Sequence, residues 1–190
     1  MFQLIQILYW LALSTWFGGV LFVAVAAPVI FRTVREYNPT LPTVLSVNLE
    51  NQHGELLAGS IVANLLAIVL RVELGCAAAL LVTILVQWFF LDLHGQTLFV
   101  TILRSAMYVA AVALVVYDWL VVSPKVLKFR DEFIEHADEP DVANPAKERF
   151  DGHQSESVTI LLYVVFLLLG IILFSGSISS TSPTIVFTSK

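Results

Sequence analysis

MFQLIQILYWLALSTWFGGVLFVAVAAPVIF, Met1–Phe31, holds no charged side chain, and Arg32 closes it. A helix rises about 1.5 Å per residue, so this stretch is long enough to cross the ~30 Å hydrocarbon core of a bilayer. Hydrocarbon offers backbone N–H and C=O groups no partners, and a helix supplies them internally. The expected span is about 5–31. Ala24-Val25-Ala26 resembles a signal-peptide cleavage site. No Lys or Arg precedes the apolar run, however, and the run is long for a signal core, so a retained span is expected.

The rest of the chain has the same character. It is 58% hydrophobic and 13% charged, with a mean hydropathy of +0.85. Soluble domains lie nearer half apolar and a quarter charged, which places this chain in lipid. The single cysteine, Cys76, excludes an intrachain disulfide and a cysteine-based zinc site. The formal charge of -5 comes mostly from one acidic stretch, Asp131 to Asp141, and nucleic acid is not an expected partner. Its 190 residues make room for one helical bundle, an all-α membrane domain over 1–176. The Ser- and Thr-rich segment 177–190 reads as a flexible tail.

Two further spans read directly, at about 158–176 and about 98–122, the latter carrying Arg104 and Asp118. Between Leu56 and Leu91 the chain is apolar apart from Asn64, Arg71, Glu73, Thr83 and Gln87. One helix over that stretch would exceed ~50 Å, well beyond a bilayer. A break near Arg71–Gly75 is therefore expected, giving a span over 74–92 and an interfacial or re-entrant helix over 55–70.

Seven of the ten Lys and Arg residues (Arg32, Arg35, Lys125, Lys128, Arg130, Lys147, Arg149) fall in the first and third connections. Four spans put those connections on one side. The positive-inside bias then places 32–54 and 123–157 in the cytoplasm and both termini outside, as in a bacterial inner membrane. Pro39 and Pro42 make the first connection irregular at its start. Within 123–157, Val126, Phe129 and Phe133 recur at helical spacing and predict a short helical extension of the third span. Asn144-Pro145 reads as the start of the last helix, with Asn as cap and Pro at the first position.

Ionisable groups at membrane depth are costly and are candidate functional residues. Arg104 has either a structural role, snorkelling to the outer interface or towards Asp92, or a functional one. Asp118 is placed to pair with Arg71 and so lock two helices. Glu73 can join that cluster as part of a proton or cation site. His94 and His136 fall on exposed turns. His53 and His153 flank the cytoplasmic face with Glu55, Asp151 and Glu156 nearby; they serve either as caps and interhelical hydrogen-bond partners or as ligands of a divalent cation. No hydrolase, phosphate-loop or zinc-protease motif appears. Adjacent Gly18 and Gly19, beside Trp16 and Phe17, read as a close-packing site for another helix. Pro28 is expected to kink or end the first helix.

Trp16-Phe17-Gly18-Gly19, Ala27-Pro28 and Phe31-Arg32 resemble the first-helix signature of the transmembrane protein 205-like family. Gly54-Glu55 with Gly59, and Phe150-Asp151 with His153 and Ser155, resemble two further blocks of that family, in the same order. The resemblance runs from about Leu11 to Leu173. It implies a four-helix membrane domain with no settled biochemical activity. The first helix is also similar to copper-resistance and haem-pathway multipass proteins, in which a histidine precedes the tryptophan by about two turns. Here Leu8-Tyr9-Trp10 stands in that place, which counts against a haem or copper ligand, and Tyr9 reads as an interfacial anchor.

Three functions follow as expectations. The first is a non-enzymatic binding or accessory module for lipid, ion, partner protein or a second copy of the chain, with no cofactor assigned. The second is a metal- or haem-handling protein using His53 and His153. The third is a small oligomeric transporter using Asp118, Glu73 and Arg104.

Overall fold

The computed structural model describes residues 2–37, 39, 53–90, 98–136 and 139–176. These residues form α1 (Phe2–Tyr37), α2 (His53–Phe90), α3 (Leu98–Tyr117), a π-helical turn (Asp118–Val122), α4 (Ser123–Glu135) and α5 (Pro140–Ser175). Four helical rods result, because α3, the π turn and α4 run on as one. Each is long and apolar enough to cross a membrane.

The rods pack through stripes of buried residues spaced alternately three and four apart. Leu13, Trp16, Val20 and Val23 form the stripe on α1; Thr101, Arg104, Tyr108, Ala111 and Val115 form it on α3. On α5 the stripe is Leu161, Val164, Leu168 and Ile171. That repeat keeps one face of each helix on its neighbours at a shallow crossing angle. The opposite faces (Leu4, Ile7, Leu11, Phe22 and Val25 on α1) are apolar and exposed, as lipid-facing surfaces are. Helix α1 packs chiefly on α2, while α5 packs on α4, α3 and α1.

Three expectations are corrected. Helix α2 is continuous over 38 residues, with no break at Arg71–Gly75 and no separate helix over 55–70. Its partner α1 is 36 residues long, so the extra turns of both helices lie against each other beyond the hydrocarbon length. Helix α5 begins at Pro140 rather than Pro145, and Asn144 lies inside it. Ala143 and Ala146 pack on Leu56 and Phe133, which draws the added turns into the bundle. Pro28 does not end α1, which continues to Tyr37. The tail 177–190 and Pro42 lie outside the described residues.

The π turn has a local cause. The Ser123 N–H donates to the Asp118 carbonyl, five residues back. Pro124 follows, without an N–H and with a ring that would strike a carbonyl in a regular helix. Widening the turn by one residue relieves that clash and rotates what lies on either side. Asp118 and Val122 point into the bundle as a result.

Candidate functional site

The helix ends carrying Arg32, Arg35 and Lys147 define a basic face. There Glu55 ties three helices together: Arg35 Nη2 lies 3.5 Å and Lys147 Nζ 3.1 Å from its carboxylate oxygens. Gln154 Nε2 donates to the Gly59 carbonyl at 3.4 Å. Phe31, Leu56, Phe133, Phe150 and Asp151 complete a cleft of about 170 Å³ around these groups. Burial lifts the Asp151 carboxyl above the ordinary range, against Lys147 and with help from Glu55. Gly59 lies tight against α5: an added Cβ there would lie 3.1 Å from the Phe150 ring. The Gly18-Gly19 doublet does not make such an approach: a Cβ at Gly18 meets nothing within 4 Å, and at Gly19 only Val69 Cγ1 at 4.0 Å.

His153 stacks on Phe129, with centroids 5.6 Å apart and planes 6° from parallel. Its Nδ1 lies 3.1 Å from Glu156 Oε2, and Tyr117 Oη donates to Glu156 Oε1 at 3.0 Å. Those two bonds hold the Glu156 carboxyl below the ordinary range. Arg149 and Lys128 sit over the Phe129 ring at 5.6 and 5.8 Å. His53 opens α2, but its side chain lies outside the described residues, as do His94 and Asp92. Among the described residues no group of three or more His, Cys, Asp or Glu could hold a metal ion. His136 caps α4, its Nδ1 3.2 Å from the Glu132 carbonyl.

Deeper in the bundle, the Arg71–Asp118 pair expected from the sequence does not form. Arg71 is exposed and pairs with no acid among the described residues. Asp118 instead has the Ser157 hydroxyl of α5 as its polar neighbour and feels the charge of Glu156. Glu73 is buried alongside and feels the charge of Asp118. The Trp16 indole N–H is directed at Glu73 without reaching hydrogen-bond geometry. Sequence reasoning gathered Glu73 and Asp118 but missed Ser157 and Trp16 as their polar neighbours.

Arg104 is 1% exposed, so it does not snorkel; its guanidinium lies 5.7 Å from the centre of the Tyr9 ring. Tyr9 is buried too, sharing a 2.7 Å hydrogen bond with Ser175, and is no lipid-facing anchor. No protein family, curated protein or solved structure matches the chain.

Proposed function

We propose that the chain is a non-enzymatic binding module of a bacterial inner membrane, with both termini outside and segments 32–54 and 123–157 in the cytoplasm. The observation that carries the reading is how the polar side chains are spent. Among the described residues the Ser14, Thr83 and Thr159 hydroxyls donate to carbonyls of their own helices. The one thiol, Cys76, is buried. The placed histidine nearest an acid, His153, bonds to Glu156, and among the described residues no hydroxyl or thiol pairs with a histidine as acyl or phosphoryl transfer needs. Glu73, Asp118, Gln154 and Ser157 are instead buried between helices, where a ligand would be held and not transformed.

Membership of the transmembrane protein 205-like family belongs to this proposal. Two of its blocks meet in space, Gly59 against Phe150 and Gln154, with Glu55 bound to Lys147 one turn away. A small transporter is the second reading, favoured by the buried Glu73 and Asp118. Four spans leave a narrow pathway in one chain, so transport would require a homo-oligomer. The bilayer is the one partner the apolar exposed faces demand.

Metal analysis and an absorption spectrum of protein purified in mild detergent test the reading. A colourless, metal-free protein is expected. A stoichiometric haem or redox metal, lost when His53 and His153 are both replaced by alanine, would overturn it in favour of a metal-handling function.

A further inference from the structure

The bundle buries two acids near enough for the charge of Asp118 to act on Glu73, with polar neighbours drawn from all four rods. Trp16 comes from α1, Glu73 from α2, Asp118 from the π turn and Ser157 from α5. Glu73 is 5% exposed and Asp118 8%. The groups acting on Glu73 are Asp118 and the Trp16 N–H; those acting on Asp118 are Ser157 and Glu156. No basic side chain is among them. Arg71, the nearest cation along α2, faces outward, and Arg104 lies by Tyr9, about 10 Å along α1 from Trp16.

Two further features show an unfilled demand at this point. Asp118 Oδ1 is buried with no hydrogen-bond partner, and so is Trp16 Nε1, which is directed at Glu73. A structural pair of acids would be expected to close its hydrogen bonds, because an orphaned buried polar atom is costly. The π turn that aims Asp118 inward is a device found often at functional sites.

Polar side chains lead from the site to one side only. Ser157 and Ser175 are about 27 Å apart along α5, close to the hydrocarbon thickness, so Ser157 marks the basic-face boundary. At that boundary Tyr117, Glu156 and His153 continue the polar line outward from Asp118, with Lys125 acting on Glu156. Towards the opposite face the route is blocked by Leu13, Leu80, Ala111, Val115 and Leu168, all at most 1% exposed. Beyond them lies a separate cluster of Tyr9, Ser175 and Arg104.

We propose that Glu73 and Asp118 form a monovalent-cation site at membrane depth, loaded from the basic face by a sodium ion or a proton. This names the ligand of the binding reading above and rests on it. A cation carries the positive charge that no side chain among the described residues supplies there, and Asp118 Oδ1 is a buried acceptor without a hydrogen-bond partner. A divalent ion would demand six or more oxygens, whereas two carboxylates and one hydroxyl suit a single charge. When sodium enters, a carboxyl proton leaves for the water at Glu156, one for one, and the net charge of the site is unchanged. The titratable and polar groups acting on the pair are Trp16 of α1 and Glu156 and Ser157 of α5, with Cys76 of α2 beside Glu73; Tyr117, Lys125 and His153 reach it only through Glu156.

The full chain in lipid nanodiscs decides this. Sodium chloride is titrated against choline chloride at constant ionic strength while the melting temperature and proton release to a pH dye are followed. Sodium loading is expected to raise the melting temperature saturably and release protons. Both responses should vanish in Glu73→Gln and Asp118→Asn and persist in Glu55→Gln. If sodium has no effect, infrared spectra of wild-type protein carrying 13C-labelled Asp or Glu decide the proton arm, and need no variant to fold. Carboxyl bands that titrate reversibly in the folded protein support proton loading. Carboxyl bands unchanged across the folded pH range, together with no sodium response, overturn the site. That outcome leaves the binding-module reading standing, whereas a redox cofactor would remove that reading and not this site.

Discussion

At the scale of single residues, Asp151 and Glu156 make opposite predictions from one helix. Asp151 has its folded pKa raised, chiefly by burial, so the stability it permits is complete below about pH 4 and lost as pH rises through the folded value. Asp151→Asn should therefore raise the melting temperature at pH 7, an advantage that disappears near pH 4. Glu156 is held low by His153 and then Tyr117. Its contribution is present above the unfolded value and lost as pH falls through the folded one. Glu156→Gln should lower the melting temperature at pH 7 and match wild type once the acid is protonated. Both side chains meet water, so each effect should be on the order of 0.5 kcal/mol or less. Melting curves in detergent from pH 3 to pH 8, about the span of these titrations, give the sign of each. Gly59 offers a larger effect. Phe150 is 3% exposed and cannot withdraw from a new side chain, so Gly59→Val should cost about 1–3 kcal/mol by overpacking. Gly18→Ala, into open space, should be neutral or gain up to about 1 kcal/mol in helix propensity. Equal losses at the two positions would contradict the packing described here. The sequence could not rank them, because the doublet Gly18-Gly19 looks like a packing site whichever way α1 is turned, and Gly59 looks like any lone glycine.

At the scale of elements, the four apolar rods were legible because bilayer thickness sets a minimum length and hydropathy marks it. The continuity of α2 was not. Length argued for a break only on the assumption that a helix stops where the hydrocarbon does, and α1 provides a partner that continues past it. Gly75 tests which view holds. It sits exposed within α2, and an added Cβ there meets nothing within 4 Å. Gly75→Ala should leave stability unchanged or raise it by up to about 1 kcal/mol. Gly75→Pro should cost about 3 kcal/mol or more, since it removes a helical hydrogen bond and clashes with the preceding turn. A break at 71–75 would make the proline harmless, and thermal unfolding of the two variants separates the cases. The π turn was not foreseen, although Pro124 lies just past it. Nor was its consequence: rotating Asp118 away from Arg71 and towards Ser157 depends on helix phase, and hydropathy carries none.

At the scale of the whole molecule, the candidate site is a product of assembly. Trp16, Glu73, Asp118 and Ser157 are far apart in sequence, and only the stacking of antiparallel rods brings them together. The same stacking brings the C-terminal end of α1 and the N-terminal turns of α2 and α5 to one face, through Arg35, Glu55 and Lys147. That arrangement fixes a relation any membrane orientation must respect: Glu36 and Glu148, both close to this junction and exposed, lie on the same side of the bilayer. The basic residues around them predict the cytoplasmic side. Cys76, the native thiol, is buried, so it should stay silent to a membrane-impermeant maleimide in the folded protein. Cysteines placed by Glu36→Cys and Glu148→Cys should both resist labelling in intact cells and both react after the membrane is opened. Labelling of both in intact cells would invert the orientation but keep the bundle. Labelling of one without the other would separate α1 from α5 across the membrane, and neither the junction at Glu55 nor the acidic pair could then exist.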